Sequence, residues 1–279
     1  MEYFDSSRDS FGRDEAAPAP AIFLSHGAPS VILDKGGFFG ALGSFARNIP
    51  RPSAVAVLSA HWLTRGAAEI SSVEKNDVIH DFGGFPRELY ETTYPAPGHP
   101  ELAGALLSAL EKGGIKASLN QSRGLDHGAW VPLKIMYPEA DVPVVEISIP
   151  FAAAPELIFK MGKLLGPFRE GGVMLIGSGG MTHNLSALAW GNKDARPSRD
   201  VLEFEAEVMR GVESGDNAVL FDYEKTLRNA AAMHPTNEHF LPLFFTMGGR
   251  TSADSLRTIY DGVEYGALSM RSFALSALR

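Results

Sequence analysis

The sequence predicts an α/β fold: a single domain with a central, mostly parallel or mixed sheet flanked by helices on both faces. Three observations carry that expectation. Short apolar runs of strand type alternate with helical patterns along nearly the whole chain. The 279 residues suit one large domain, and no repeat or linker divides them. Hydrophobic residues make up 45% and charged residues 21%, values of a globule and too apolar for a disordered chain. The expected organisation is a flexible tail at 1–20, acidic, polar and ending in prolines, followed by one domain at 21–279.

The elements follow in order. Residues 21–24 (AIFL) read as a first strand that runs into Ser25-His26-Gly27. Residues 37–47 place apolar side chains at helical spacing. Residues 54–59 (AVAVLS) form a continuous apolar run, the pattern of a strand buried on both faces, and end at Ala60-His61-Trp62. Further strands are expected at 67–73 and 115–119, with a helix at 100–112 between Gly98-His99 and Gly113-Gly114. The aromatic, Gly- and Pro-rich segment 78–100 is too long for a simple connection. It reads either as a binding loop or as an ordered loop packing its own aromatics.

Residues 142–149 give another strand and 155–165 a helix. The strand at 173–176 (VMLI) opens into Gly177-Ser178-Gly179-Gly180, read as a tight turn that aims His183. That turn lacks the third glycine of a dinucleotide fingerprint, the Lys-Ser/Thr of a P-loop and the frame of a nucleophile elbow. Helices are expected near 198–212, 218–230 and 237–247, and a closing strand at 269–275 after the Asp261-Gly262 turn.

Composition removes several function classes. A net charge of −8 argues against a partner tracked through phosphates, so nucleic acid is not expected. With no cysteine, disulfides, thiolate metal sites and thiol nucleophiles are excluded, and any metal must be held by His, Asp or Glu. No signal peptide or membrane-spanning run is visible, which points to a cytoplasmic protein without a membrane partner.

The placement of the eight histidines carries the chemistry. Ligands in open α/β sheets bind beyond the carboxyl ends of the strands. His26 and His61 each follow a strand, and His183 follows the 173–176 strand across its glycines. One such histidine is ordinarily structural, but three at one edge point to a metal or acid–base site. In His234-Pro235-Thr236-Asn237-Glu238-His239, proline suits a first helical position and the i, i+4 spacing brings His234 and Glu238 to one face. Two strand-end imidazoles plus a carboxylate would form the open triad of non-haem Fe(II) enzymes; equally, this is a helix start with Glu238 in solvent. Asp126 precedes His127 and is placed to orient an imidazole.

Six segments in order carry a resemblance. They are Ser25-His26-Gly27-Ala28-Pro29, Ser59-Ala60-His61-Trp62, Tyr94-Pro95-Ala96-Pro97-Gly98, Asp126–Leu133 (DHGAWVPL), Gly177-Ser178-Gly179 with Thr182-His183-Asn184-Leu185, and His234-Pro235 with Glu238-His239. Together they resemble the class III extradiol ring-cleavage dioxygenases, in particular the DOPA 4,5-dioxygenase-like branch. The resemblance implies a non-haem Fe(II) centre and cleavage of a small aromatic diol by O₂, in a monomer or homodimer. It makes His26 and His61 metal ligands, with His234 as the third and Glu238 as the alternative. It implies His183 as the catalytic acid–base, or a fourth ligand were Zn(II) bound, and His127 as a partner of substrate or oxygen. Phe82, Tyr94 and Asp126 are expected at the substrate, and Arg87 or Arg123 could pair a substrate carboxylate. The competing readings are a zinc-dependent hydrolase, since such a cluster can activate water, and a non-catalytic member of the same fold.

Overall fold

The computed structural model describes residues 17–277. Its first half runs β1 (Ala21–Ser25), α1 (Gly37–Arg47), β2 (Ala54–Thr64), β3 (Ala68–Ser71), α2 (Arg87–Glu91), α3 (Pro100–Lys112), β4 (Ala117–Asn120), α4 (His127–Met136) and β5 (Val144–Pro150). There follow α5 (Pro155–Leu165), β6 (Val173–Gly179), α6 (Arg199–Ser214), α7 (Asn217–Phe221), α8 (Tyr223–Thr226), α9 (Ala230–Met233) and α10 (Leu241–Gly248). The last strands are β7 (Ser255–Tyr260), β8 (Val263–Glu264), β9 (Leu268–Ser269) and β10 (Ser272–Ser276).

The strands pair in the order β4-β3-β5-β2-β6-β1-β10-β7. The middle four, β5, β2, β6 and β1, are parallel, while β10 joins β1 antiparallel. Side chains alternate across a strand, and β6 shows which helices cover which face. Gly177 and Gly179 approach the backbone of α10 and the residues before it, while Ser178 between them reaches the carbonyl of Gly128 in α4. The two helices therefore lie on opposite faces. The parallel strands are buried on both sides, which accounts for their unbroken apolar sequences. Each such Ile, Val or Leu contributes about 1.5–3 kcal/mol on burial.

Four expectations change. Residues 177–179 continue β6 rather than turning, and their glycines are there for close packing. Residues 127–136, for which no helix was expected, form the buried helix α4, whose pattern is masked by Gly128 and Pro132. The single helix expected at 218–230 divides into α7, α8 and α9, broken at Asp222 and at Asn229, whose φ is 59°. No helix begins at Pro235: His234 ends α9, and residues 235–240 turn before α10 starts at Leu241. The alternating run that forms β7 was not anticipated. Of the tail expected at 1–20, residues 1–16 lie outside the described part; Ala19 is docked, its N–H and carbonyl both bonded to Arg169. Among the described residues, no helix is long and apolar enough to cross a membrane.

Candidate metal centre and active site

The site lies at the carboxyl ends of β1, β2 and β6. His26 follows β1 directly, its N–H donating to the carbonyl of Gly179 at the end of β6. His61 lies within β2, past the point where that strand parts from β6 at Ser59. The third arm is His239, in the turn leading to α10. The carbonyl of His239 accepts from Gly180 N–H, and a Cβ on Gly179 would lie 2.1 Å from the same oxygen. Only glycine in β6 allows the turn to approach this closely.

The Nε2 atoms of these three rings converge: 3.0 Å separates His26 from His61, and 3.2 Å separates His61 from His239. Their Nδ1 atoms explain the orientation. Ser178 Oγ–H donates to the Gly128 carbonyl at 2.5 Å, so it must accept from His26 Nδ1–H at 2.9 Å. That carbonyl is free because the residue one turn on is Pro132, which has no N–H to return. His239 Nδ1 lies 3.0 Å from Glu238 Oε1, and His61 Nδ1 lies 3.5 Å from Asp81 Oδ2. A proton held on each Nδ1 leaves each Nε2 with a lone pair, and the three lone pairs face one another. Burial keeps all three imidazoles neutral: His61 is pushed down to about 4, and His26 and His239 well below their usual range. Three neutral nitrogen donors, each braced from behind, fit a divalent transition-metal ion.

Further groups surround this centre. His183 lies flat on His239, ring centroids 3.3 Å apart and planes within 7°. Burial lowers its pKa against the pull of Glu238. His127 sits 3.9 Å from the His61 ring, and its Nδ1 is 3.0 Å from Asp81 Oδ1. Burial works against the charge of Asp81, yet His127 holds its carboxyl down at about 2. A cavity of about 220 Å³ opens over His26, His61, His127 and His183. Its walls include Pro29, Phe82, Phe85, Leu188, Trp190 and Met270.

Several expected residues are elsewhere. His234 does not join the cluster: its Nε2 donates to the Met181 carbonyl at 2.9 Å, and its ring packs on Phe204 and Phe240. His234 was the third ligand implied by the resemblance; here the turn at 235–240 gives His239 the inward position. Glu238 braces His239 instead of joining the three Nε2 atoms. His183 stacks on His239 and groups with Glu238 and His239, beside the set His26, His61 and His239. Tyr94 is buried in the core, its hydroxyl donating to the Tyr137 carbonyl, and does not line the cavity. Asp126 does not line the cavity either; it caps α4 behind His61, accepting from Ala129 N–H, Ser59 Oγ–H and Arg123. Arg123 is held by Asp126 over the Trp62 ring, and Arg87 pairs with Glu91 on the surface. Phe82 does line the cavity.

Sequence reasoning missed His239, Asp81 and Ser178. The Glu238-His239 dipeptide is the same acid–imidazole signal as Asp126-His127, and it was the usable one. Asp81 sat unmarked in the long loop, and nothing local singled out Ser178 except its glycines.

Comparison with known proteins identifies the family. Residues 20–269 match the family described as the catalytic LigB subunit of aromatic ring-opening dioxygenase. A 4,5-DOPA dioxygenase extradiol of Escherichia coli (strain K12) is 38% identical over 261 residues, covering 91% of this chain and 93% of that protein. One from Beta vulgaris is 35% identical, covering 92% and 96%. The crystal structure of an uncharacterized Escherichia coli K12 protein superposes with a TM-score of 0.79 at 32% identity, covering 92% of this chain and 99% of that one. By that match over most of its length, the chain belongs to the LigB-type extradiol family of aromatic ring-opening dioxygenases.

Proposed function

We propose that the protein cleaves the ring of a small catechol with O₂, using a ferrous ion held by His26, His61 and His239. The observation that carries this reading is the convergence of three braced Nε2 lone pairs beneath an aromatic-walled cavity, in a chain of this family. The volume, about 220 Å³, lies below the roughly 300–1,000 Å³ of sites for drug-sized ligands and suits a single-ring substrate. When bound, the metal supplies Lewis acidity toward the catechol oxygens and one-electron chemistry toward O₂.

The chain supplies positions and protons. Phe82, at right angles to His127 with centroids 5.7 Å apart, gives an aromatic wall against which a substrate ring can pack. His183, neutral and at the cavity surface, accepts a catechol proton as substrate binds and returns it as the ring opens. His127, fixed through Nδ1 by Asp81, offers its other ring nitrogen as a hydrogen-bond partner.

The test is direct. The protein is loaded with Fe(II) without oxygen and mixed with a catechol, then O₂ is admitted while its uptake and the coloured ring-opened product are followed. Uptake matched to product is expected. His183→Ala should keep its iron and lose about 10²–10⁴-fold in turnover. Iron-loaded protein that consumes no O₂ with any catechol overturns the reading.

A further inference from the structure

The aromatic loop carries an acidic side chain in between two of the site histidines. Asp81 Oδ1 accepts the backbone N–H of His127, a first-turn donor of α4, at 3.0 Å, and lies 3.0 Å from Nδ1 of the same residue. Its Oδ2 lies 3.5 Å from His61 Nδ1. One carboxylate thus faces two imidazoles whose ring centroids are 3.9 Å apart. The backbone before Asp81 is fastened to α4 and to the residues that lead into it. Ile79 N–H donates to the Leu125 carbonyl, Leu125 N–H to the Asp77 carbonyl, and Trp130 Nε1–H to the Ile79 carbonyl. A Cβ on Gly124 would lie 2.5 Å from the Asp77 carbonyl oxygen, so glycine is needed for so close an approach.

An ionised carboxylate only accepts, so each nitrogen it faces has to bring the proton. For His61 this leaves Nε2 bare, as the convergence with His26 and His239 requires. The same holds for His127, whose Nδ1 is buried and otherwise unpartnered among the described residues. A lone pair on that nitrogen would face negative charge across 3.0 Å in a buried setting. His127 lines the cavity, and Nε2 is the nitrogen it has left for a ligand. We infer that Asp81 is a positioning residue of the site: it holds His127 in the Nδ1–H form, so that Nε2 accepts a hydrogen bond from a catechol hydroxyl. One side chain thereby prepares a metal arm and a substrate contact together.

This inference takes its ligand from the catechol-cleaving reading, but its core is measured without substrate. In Zn(II)-loaded protein carrying ¹⁵N-histidine, kept mildly alkaline so that ordinary imidazoles are uncharged, ¹H–¹⁵N correlation spectra show which ring nitrogen bears the proton. His127, assigned from its absence in His127→Gln, should bear it on Nδ1. In Asp81→Ala the proton should appear on Nε2 as well, and kcat/KM of the Fe(II)-loaded variant for catechols should fall about three- to tenfold through KM. Asp81→Asn separates this role from helix capping. Its amide oxygen still caps α4 and keeps His127 in the Nδ1–H form, but its NH₂ now faces His61 Nδ1, where no acceptor remains for a proton. Metal should therefore bind about 10–100-fold more weakly in competition with a metallochromic chelator. Three results overturn the inference while leaving ring cleavage standing: a wild-type His127 protonated on Nε2 or on both nitrogens, a tautomer unmoved in folded Asp81→Ala, or a wild-type metal constant in Asp81→Asn. No O₂ uptake with any catechol overturns ring cleavage itself, and with it the hydroxyl as the partner of His127.

Discussion

His234 and His239 lie five positions apart in one turn, and their surroundings give them opposite tasks. His239 presents Nε2 to two other imidazoles with Glu238 behind it. His234 spends Nε2 on the Met181 carbonyl and packs on phenylalanines. His239→Ala should therefore lose bound metal, while His234→Ala should keep it and unfold about 2–4 kcal/mol sooner. Metal analysis of both purified variants, with urea titrations, decides between them. A metal-free His234→Ala would return the third arm to His234. The buried imidazole also has a pH signature. Burial holds His234 at about 4, against about 6.5 in the unfolded chain, so as pH falls the unfolded chain is protonated first. Its contribution is complete above about pH 6.5, erodes below that and is gone by about pH 4, a loss of about 3 kcal/mol. In metal-free protein, His234→Phe should flatten the stability–pH slope over that window by about one proton, and superimposable acid limbs would refute the assignment. At this scale the sequence was a partial guide. His26 and His61 stood out because strand ends are where sites form, whereas the choice within residues 234–239 came from the resemblance, and no local pattern shows which imidazole the turn at 235–240 aims inward.

Elements place these side chains through backbone approach. β6 meets the turn before α10 through glycines, and a methyl group on Gly179 would press on the His239 carbonyl at 2.1 Å. Gly179→Ala should therefore push His239 away from His26 and His61 and weaken metal binding by about 10–100-fold, the range for lost ligand support. Ser178→Ala should act similarly by removing the acceptor for His26 Nδ1–H. Competition with a metallochromic chelator reads both constants, and wild-type affinity in Gly179→Ala would mean that the turn relaxes freely. The periodic elements were legible: β1, β2, β5, β6, α3 and α5 lie where apolar pattern and Gly/Pro punctuation put them. α4 was not, because its proline and glycine, ordinarily helix breakers, are used here. Pro132 frees the Gly128 carbonyl for Ser178, and a hydrogen bond across the sheet replaces one along the helix. Local pattern cannot register an exchange made between segments about fifty residues apart.

Over the whole molecule, the parallel sheet has two ends with different duties. The carboxyl ends carry the histidines. Arg169, between α5 and β6, sits at the amino end and is fully buried. Its guanidinium grips both oxygens of Asp254 and the carbonyls of Ala19, Gly249 and Leu275. One side chain thus ties the segment entering β1 to the end of α10, the start of β7 and the last strand. Nothing in Gly166–Gly171 marks it, because a buried arginine is made acceptable only by partners scattered over the rest of the chain. Removing one member of a buried pair leaves the other charge uncompensated, so Arg169→Met should cost about 3–5 kcal/mol of stability. Because the clasp and the metal arms occupy opposite ends of the same strands, the folded fraction of this variant should bind metal at full stoichiometry and keep its catechol KM. His239→Ala should do the reverse, losing the metal with a smaller change in the urea midpoint of metal-free protein. Loss of metal from Arg169→Met under conditions where circular dichroism shows it folded would mean that strain passes along the strands from one end to the other. The doubly covered sheet argues against that, since β2, β6 and β1 are each paired with a strand neighbour on both sides.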